Sequence, residues 1–387
     1  MIRVGFVMDF DSDWLGGINY YRNLLNAIYR MPDRRIEAVI FTGTRTVASK
    51  FDGFPDVEII KSDILDRGSL SWFARKVLLR LFSSNFVLER LLIANRIQVL
   101  SHSGFLSGKS GIVTIGWMPD FQHLHLPELY SRRRLAAINQ DVRLMCTKCS
   151  SLVLSSQDAL KDLLSMSLSI ESKLEVLPFS INPDYLEREP VGFDDLAQRY
   201  HFSGKFFFLP NQFWVHKNHK VVIEALAQLK ADGHPVLVLA TGNTRDSRQF
   251  GYFEELMTLA QELDVEDCFR VLGIVPLSDL MMLMKSALAI INPSRFEGWS
   301  TTVEEAKLVG KTIVLSDLPV HREQNPEYGY YFNPTDPADL AQRLRDVWEG
   351  SSDHGQRLSD TELHDLAVKR YAEFAAKYQK IVMSTLN

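Results

Sequence analysis

Two glutamates with seven residues between them, Glu297 and Glu305, lie in the stretch Asn292-Pro293-Ser294-Arg295-Phe296-Glu297-Gly298-Trp299-Ser300-Thr301-Thr302-Val303-Glu304-Glu305-Ala306. Gly298 lets the backbone come close to a ligand, and Thr301 with Glu304 three residues on has the pattern of a capping box, so a helix is expected to start here. The free N–H groups of the turn Gly298, Trp299, Ser300, Thr301 and Thr302, with the positive end of that helix, form a ready site for a diphosphate. Glu305 in the first turn can accept two hydrogen bonds from vicinal hydroxyls, and Glu297 can do so on the other side of the phosphates. A nucleotide sugar has the matching groups: ribose for one carboxylate, the donor sugar for the other. A purely electrostatic role at the helix N-terminus would cover Glu304 and Glu305 but leaves Glu297 unaccounted for.

The matching cation is Lys217 in Asn211-Gln212-Phe213-Trp214-Val215-His216-Lys217-Asn218-His219-Lys220, expected after a strand and at the opening of a helix. A lysine at a helix N-terminus opposes the dipole unless an anion is nearby, which favours a phosphate-facing role over a solvated one. Other signals carry less. Gly104-Phe105-Leu106-Ser107-Gly108-Lys109-Ser110 has three residues between its glycines where a phosphate loop needs four, and a strand is expected to follow. Cys146-Thr147-Lys148-Cys149 lacks a second Cys or His pair and reads as packing. Asp9-Phe10-Asp11 and Asp11-Ser12-Asp13 fit a D-x-D cation pattern but lie in the first strand-to-helix loop, so solvated carboxylates are preferred and no metal is expected.

These residues need a scaffold that delivers loops to one edge. Short β-branched runs alternate with helical spacing from Ile2–Phe10 onward, with the double glycine Gly16-Gly17 read as a turn before the first helix. Strands are expected near 38–41, 57–60, 98–101, 112–117, 151–154 and 174–179, then, after a polar connector at 180–204, near 206–209, 236–240, 269–272, 288–291 and 312–315. That alternation predicts an α/β protein of two doubly wound, Rossmann-like domains, with the ligand at a cleft faced by the carboxyl ends of both sheets. The last helix, 362–382, is expected to pack back on the first domain. The stretch 70–92 mixes Trp72, Phe73, Phe82 and Phe86 with Arg75, Lys76, Arg80 and Arg90, and reads as a packed helix with solvated arginines ahead of a membrane-surface helix. Arg132-Arg133-Arg134 reads as a helix face.

The 387 residues suit two cores rather than one, and 46% hydrophobic with 24% charged residues excludes a mainly disordered chain. A net charge of -5 gives no global attraction to nucleic acid. Residues 1–185 carry 22 Lys+Arg against 19 Asp+Glu, or +3, which leaves 21 against 29, or -8, for the rest. Contact with an anionic membrane therefore belongs to the first half. Met1 to Asp9 has no cationic leader and no apolar run reaches about 18 residues, so the expectation is a cytoplasmic protein, peripheral at most on the inner membrane face. Three cysteines fit a reducing compartment.

Glu297 and Glu305 are spaced as the E-x7-E motif, and with the Lys217 segment they resemble the retaining glycosyltransferases of family 4, which have the GT-B fold. The resemblance extends to Gly16-Gly17, Trp117-Met118-Pro119-Asp120-Phe121-Gln122-His123, Ser155-Ser156, Leu177-Pro178-Phe179, Gly273 and Val320-His321-Arg322-Glu323-Gln324, in the manner of the branch that builds bacterial surface polysaccharides and O-antigens. It implies an acceptor-binding domain at 1–185, a nucleotide-sugar-binding domain at 186–358 and a crossing helix at 359–387. It also implies that Glu297 contacts donor-sugar hydroxyls, Glu305 the ribose, Lys217 the diphosphate, and Gly16 and Gly17 the donor phosphates. Gln212 stands where many members carry an arginine, with Arg295 or His216 to compensate. Pro119 stands where many have a histidine, leaving Asp120 and His123 as acceptor-side candidates. The implied reaction is hexose transfer with retention, without metal or other cofactor, from GDP-mannose first and UDP-hexoses next, to a glycan or lipid-linked glycan. A nucleotide-sugar epimerase of the same fold and a non-catalytic nucleotide-sugar-binding subunit are the alternatives.

Overall fold

The computed structural model describes residues 1–8, 15–82, 85–106, 110–186, 192–246, 248–350 and 357–386. Among these the apolar runs form two all-parallel sheets. The first consists of β1 (Ile2–Val7), β2 (Ile36–Thr42), β3 (Glu58–Lys61), β4 (Val99–Ser101), β5 (Val113–Met118), β6 (Ser151–Leu154) and β7 (Lys173–Val176), in the order β3-β2-β1-β4-β5-β6-β7. The second consists of β8 (Phe207–Leu209), β9 (Val238–Thr241), β10 (Phe269–Gly273), β11 (Ile290–Asn292), β12 (Ile313–Ser316) and β13 (Gly329–Phe332), in the order β10-β9-β8-β11-β12-β13.

Strand β2 explains why the sequence runs are apolar throughout rather than alternating. Ile36, Ala38 and Ile40 pack with Tyr21 and Leu25 on one face, while Val39 and Phe41 pack with Leu88 and Leu92 on the other. Both faces are dry along Ala38–Phe41, so that run is apolar throughout. In each sheet the strand order reverses once, between β1 and β4 and between β8 and β11, and loops leaving such neighbours diverge to open a ligand crevice.

The chain divides into two compact units. One holds Met1–Phe121, Arg132–Asn182 and Lys369–Asn387; the other holds Gln122–Ser131 and Pro183–Val368. The final helix spans Asp360–Leu386, and its Tyr371, Phe374, Tyr378 and Ile381 are buried in the core of the first unit with Phe6 and Tyr21. Tyr371 donates to the Asn23 carbonyl (2.7 Å), and the Gln379 side-chain oxygen accepts from the Arg35 amide (2.7 Å).

Several local expectations need correction. Gly16 and Gly17 lie inside the helix Leu15–Tyr29, not in a turn before it. The connector at 180–204 contains the helix Phe193–Arg199, held because Arg199 and Tyr200 both bond the buried carboxylate of Asp279. Edge strand β13 escapes sequence reading because it is four residues long and opens on a glycine. The stretch 70–92 forms two helices: Phe86–Ala94 packs through Leu88 and Leu92 with Arg90 exposed, as expected, whereas Leu70–Phe82 buries Arg75 and turns Leu70, Phe73 and Val77 to solvent. After Gly104-Phe105-Leu106 the next regular element is strand β5, as expected, and residues 107–109 lie outside the described residues. Cys146 and Cys149 are buried, and burial pushes both thiols up, Cys149 to about 11, which disfavours the reactive thiolate.

Candidate functional site

The site grows from the reversal between β8 and β11, which pair in parallel with Phe208 opposite Ile290. The loop after β8 carries Lys217 and the loop after β11 carries Glu297, so two residues remote in sequence become neighbours. Lys217 closes a 3-10 turn, Val215–Lys217, and the helix begins only at His219. The reason is Asn218, which sits in the left-handed conformation (φ 56°) that asparagine tolerates better than most residues. Its amide donates to the Pro293 carbonyl (3.0 Å) and the Pro334 carbonyl (2.9 Å), and the Arg295 amide donates to the His216 carbonyl (2.7 Å). These bonds fasten the Lys217 loop to the Glu297 loop.

Lys217 Nζ lies 2.7 Å from Glu297 Oε1, with the two side chains 14% and 9% exposed. Ser294 Oγ is 2.6 Å from the same carboxylate oxygen and 2.9 Å from Asn292 Oδ1. Burial works to raise the Glu297 carboxyl, but the charge of Lys217 and its hydrogen bond outweigh it and leave it below its ordinary value. Glu305 is different. Burial pushes its carboxyl up to about 8, with only Lys217 pulling it down. The two acids therefore differ in charge state near neutral pH, although they flank one turn.

The helix that follows is Thr301–Leu308, and its N-cap is Ser300, whose Oγ accepts from the Val303 amide at 3.4 Å. Thr301 is thus the first helical residue, not the cap. The capping box fails because Glu304 is claimed elsewhere: its carboxylate accepts from Gln324 Nε2 (3.0 Å) and Lys307 Nζ (3.2 Å). Asn292 Nδ2 donates to Ser300 Oγ (2.7 Å), and the Gln324 amide group bonds both the N–H and the carbonyl of Ser300. Asn292, Ser294 and Gln324 are the positioning groups that sequence reading passed over, although all three stand in stretches it singled out.

Gln212 accepts from the Asn243 amide (2.8 Å), so its side chain anchors a neighbouring loop. That loop approaches so closely that a Cβ on Gly242 (φ 143°) would stand 2.5 Å from the Asn211 carbonyl oxygen. The same loop carries Arg248. Its guanidinium donates to Gln122 Oε1 (2.8 Å) and lies 3.3 Å from His216 Nδ1, with Trp214 beneath it and Asp246 beside it. Arginine only donates, so His216 Nδ1 accepts and the ring is neutral. Burial, aided by Lys217, holds that imidazole down at about 3. Nothing in the sequence pattern marks Arg248, because an irregular loop has no periodicity.

Of the remaining expected residues, Arg295 is exposed and its nearest acidic partner is Glu128 at 3.6 Å, whereas Arg248 is the arginine beside His216. Gly298 and Trp299 are half-buried in the turn before Ser300. His123 is buried in the short helix Gln122–His125 of the second unit; Asp120 is exposed after β5 and, with Gly16 and Gly17, belongs to the first. Asp9, Asp11 and Asp13 lie outside the described residues, among which no cluster of three His, Cys, Asp or Glu side chains is placed to hold a metal.

Residues 201–361, which include Lys217, Arg248, Glu297 and Glu305, match the family described as Glycosyl transferases group 1. The O-antigen chain mannosyltransferase RfbU of Salmonella typhimurium is 23% identical over 236 residues, covering 60% of this chain and 57% of that protein. Among solved structures, Anabaena Alr3699/HepE in complex with UDP-glucose superposes with a TM-score of 0.72 at 15% identity, over 99% of this chain and 100% of that one. A glycosyltransferase from Rickettsia africae superposes with a TM-score of 0.69 at 15% identity, over 100% and 99% of the two chains. At such identities the likeness establishes the fold: two parallel-sheet α/β domains of the GT-B type.

Proposed function

We propose that this protein is a retaining glycosyltransferase that moves a hexose from a nucleoside-diphosphate sugar to a glycan or lipid-linked glycan. The observation that carries the reading is the Lys217–Glu297 pair set beside the capped turn at Ser300. In this reading the acceptor oxygen attacks the anomeric carbon on the face from which the diphosphate departs. The bond from carbon to phosphate oxygen breaks, its electron pair goes to the diphosphate, and the diphosphate takes the acceptor proton.

The protein's part is charge and geometry. Lys217, Arg248 and the amides of Gly298, Trp299, Thr301 and Thr302 hold the leaving group. Glu297 orients Lys217 and receives donor-sugar hydroxyls, and Glu305 receives the ribose diol. Gly16, Gly17, Gln212, Arg295 and Trp299 complete the donor set, with Asp120 and His123 on the acceptor side. Because side-chain cations and amides supply the positive charge, the proposed reaction needs no metal, and chelator should leave the rate unchanged.

GDP-mannose is the first donor to test and UDP-hexoses the next. RfbU is described as a mannosyltransferase, and the HepE crystals hold UDP-glucose. The proposed setting is the cytoplasmic face of a membrane bearing a lipid-linked acceptor; among the described residues no helix is long and apolar enough to cross one. The test is a thermal-shift screen with UDP, GDP and their sugars, followed by transfer from the best donor and NMR of the new linkage. Retention of anomeric configuration supports the proposal. Inversion, or an epimerised donor formed without acceptor, refutes it.

A further inference from the structure

A chain of hydrogen bonds runs from Glu297 through Ser294 and Asn292 to His321, and it is one hydrogen short. Ser294 Oγ lies 2.6 Å from Glu297 Oε1 and 2.9 Å from Asn292 Oδ1. Both of those oxygens accept, and a serine hydroxyl carries one hydrogen, so Ser294 serves either the carboxylate or the amide. Beyond it, Asn292 Nδ2 lies 2.7 Å from Ser300 Oγ, the helix cap, and 3.5 Å from His321 Nε2. Asn292, Ser294 and His321 are each 0% exposed, so bulk water does not make up the deficit.

His321 fixes the polarity of the chain. Its Nδ1 lies 2.8 Å from the Ser316 carbonyl oxygen, and a carbonyl only accepts, so Nδ1 carries the hydrogen. Burial, aided by Lys217, holds the imidazole below its ordinary value, which leaves it neutral with a bare lone pair at Nε2. The Ser294 and Ser300 hydroxyls and the Asn292 amide can each reverse direction. With His321 and Glu297 accepting at the two ends, three links share two hydrogens, one from the Asn292 amide and one from Ser294. At 3.5 Å the link to His321 is long, but turning the amide over would set lone pair against lone pair there and only move the deficit. Held with Nδ2 toward His321 and Ser300, the amide offers its oxygen to Ser294. The missing hydrogen then falls beside Glu297.

We propose that His321 and Asn292 are positioning residues that keep Glu297 ready for a hydroxyl of the donor sugar. The hydroxyl brings the missing hydrogen: it donates to Glu297, Ser294 turns its own hydrogen to Asn292 Oδ1, and every link is made. A nucleotide without a sugar leaves the chain short. On the donor reading above, which this deepens, the sugar subsite thereby selects a hydrogen-bond donor in place of an acceptor. The same amide holds Ser300, so the acid that receives the sugar and the turn that receives the diphosphate are tied to one side chain.

The test is calorimetry on the full-length protein with UDP, GDP, UDP-glucose and GDP-mannose, reading the factor by which the attached sugar tightens binding. In the wild type that factor should be about tenfold for the preferred donor, as one charge-assisted bond gives. Asn292→Leu removes the acceptor and leaves the Ser294 hydrogen on Glu297; His321→Gln, milder should the first fail to fold, lets the amide turn over. Both should cut the factor to about twofold while the nucleotide alone binds within about threefold of wild type. In a Ser294→Ala background neither should reduce it further, because no hydrogen is left to misplace. Parallel losses for nucleotide and nucleotide sugar, wild-type factors in both variants, or additive losses in the Ser294→Ala background would each overturn the proposal. A wild type that binds none of the four removes the glycosyltransferase reading with it. Nucleotide binding with a sugar factor indifferent to all three residues removes this proposal alone.

Discussion

Lys217 and Glu297 form a mostly buried ion pair, 2.7 Å apart, between loops that leave adjacent strands. Removing one partner of such a pair leaves an uncompensated charge and typically costs roughly 3–5 kcal/mol, whereas removing both is far milder. Lys217→Met should therefore destabilise the protein in denaturant unfolding, and Lys217→Met with Glu297→Gln should recover most of the loss. Transfer should not recover: about two to three decades should be missing in each single variant and in the double. Transfer restored along with stability would reduce the pair to a structural strut.

Arg248 supplies a second prediction. Arg248→Met should weaken UDP or GDP binding about tenfold or more while leaving the monophosphates nearly unaffected, because a charge-assisted bond to phosphate is lost. Arg245→Met, three residues away and exposed, is the charge-matched control. An equal loss for mono- and diphosphates, read by calorimetry, would assign Arg248 to anchoring Gln122 instead.

Glu305 carries the clearest pH dependence. Its carboxyl sits near 8 when folded against 4.5 ordinarily, so its contribution to stability is complete below 4.5 and is lost as pH climbs through 8. Glu305→Gln should then raise Tm by several degrees at pH 9 and change it least at pH 5. Donor affinity should move the other way in the wild type, strengthening from pH 7 to 9 as the ionised carboxylate becomes available to accept both ribose hydroxyls. The Gln variant should bind weakly at every pH.

On the acid side, three buried imidazoles act together. Burial holds His102, His216 and His219 near 3, well below the ordinary 6.5. Each depressed value adds stability that is intact above 6.5 and drains away as pH falls toward 3. Urea unfolding should therefore show stability declining from about pH 6.5, before the carboxylates titrate, and His102→Asn should make that decline shallower. Glu297, with its depressed carboxyl, should add a separate loss below the usual carboxylate range.

The sequence revealed the strands well because both sheet faces are dry: a run such as Phe207–Leu209 or 152–154 has no polar position to blur it. The E-x7-E spacing and Lys217 were legible for the same reason, each following a buried strand. What stayed hidden depends on side chains reaching across loops. Whether Ser300 or Thr301 caps the helix turns on Gln324, from another element, bonding Glu304. The exposure of Phe73 turns on which side of a helix packs, and a helix carrying apolar residues on both sides does not announce that.

The long closing helix imposes an order of assembly. Tyr371, Phe374 and Tyr378 complete a core whose other members, Phe6 and Tyr21 among them, leave the ribosome first. At roughly 5–20 residues per second, the amino-terminal sheet waits about 10 to 40 s for its missing wall. During that interval its uncovered aromatic surface is a natural chaperone substrate. Shortening the carboxyl end would make the wait permanent, so a truncation there is expected to cripple the half of the molecule made first.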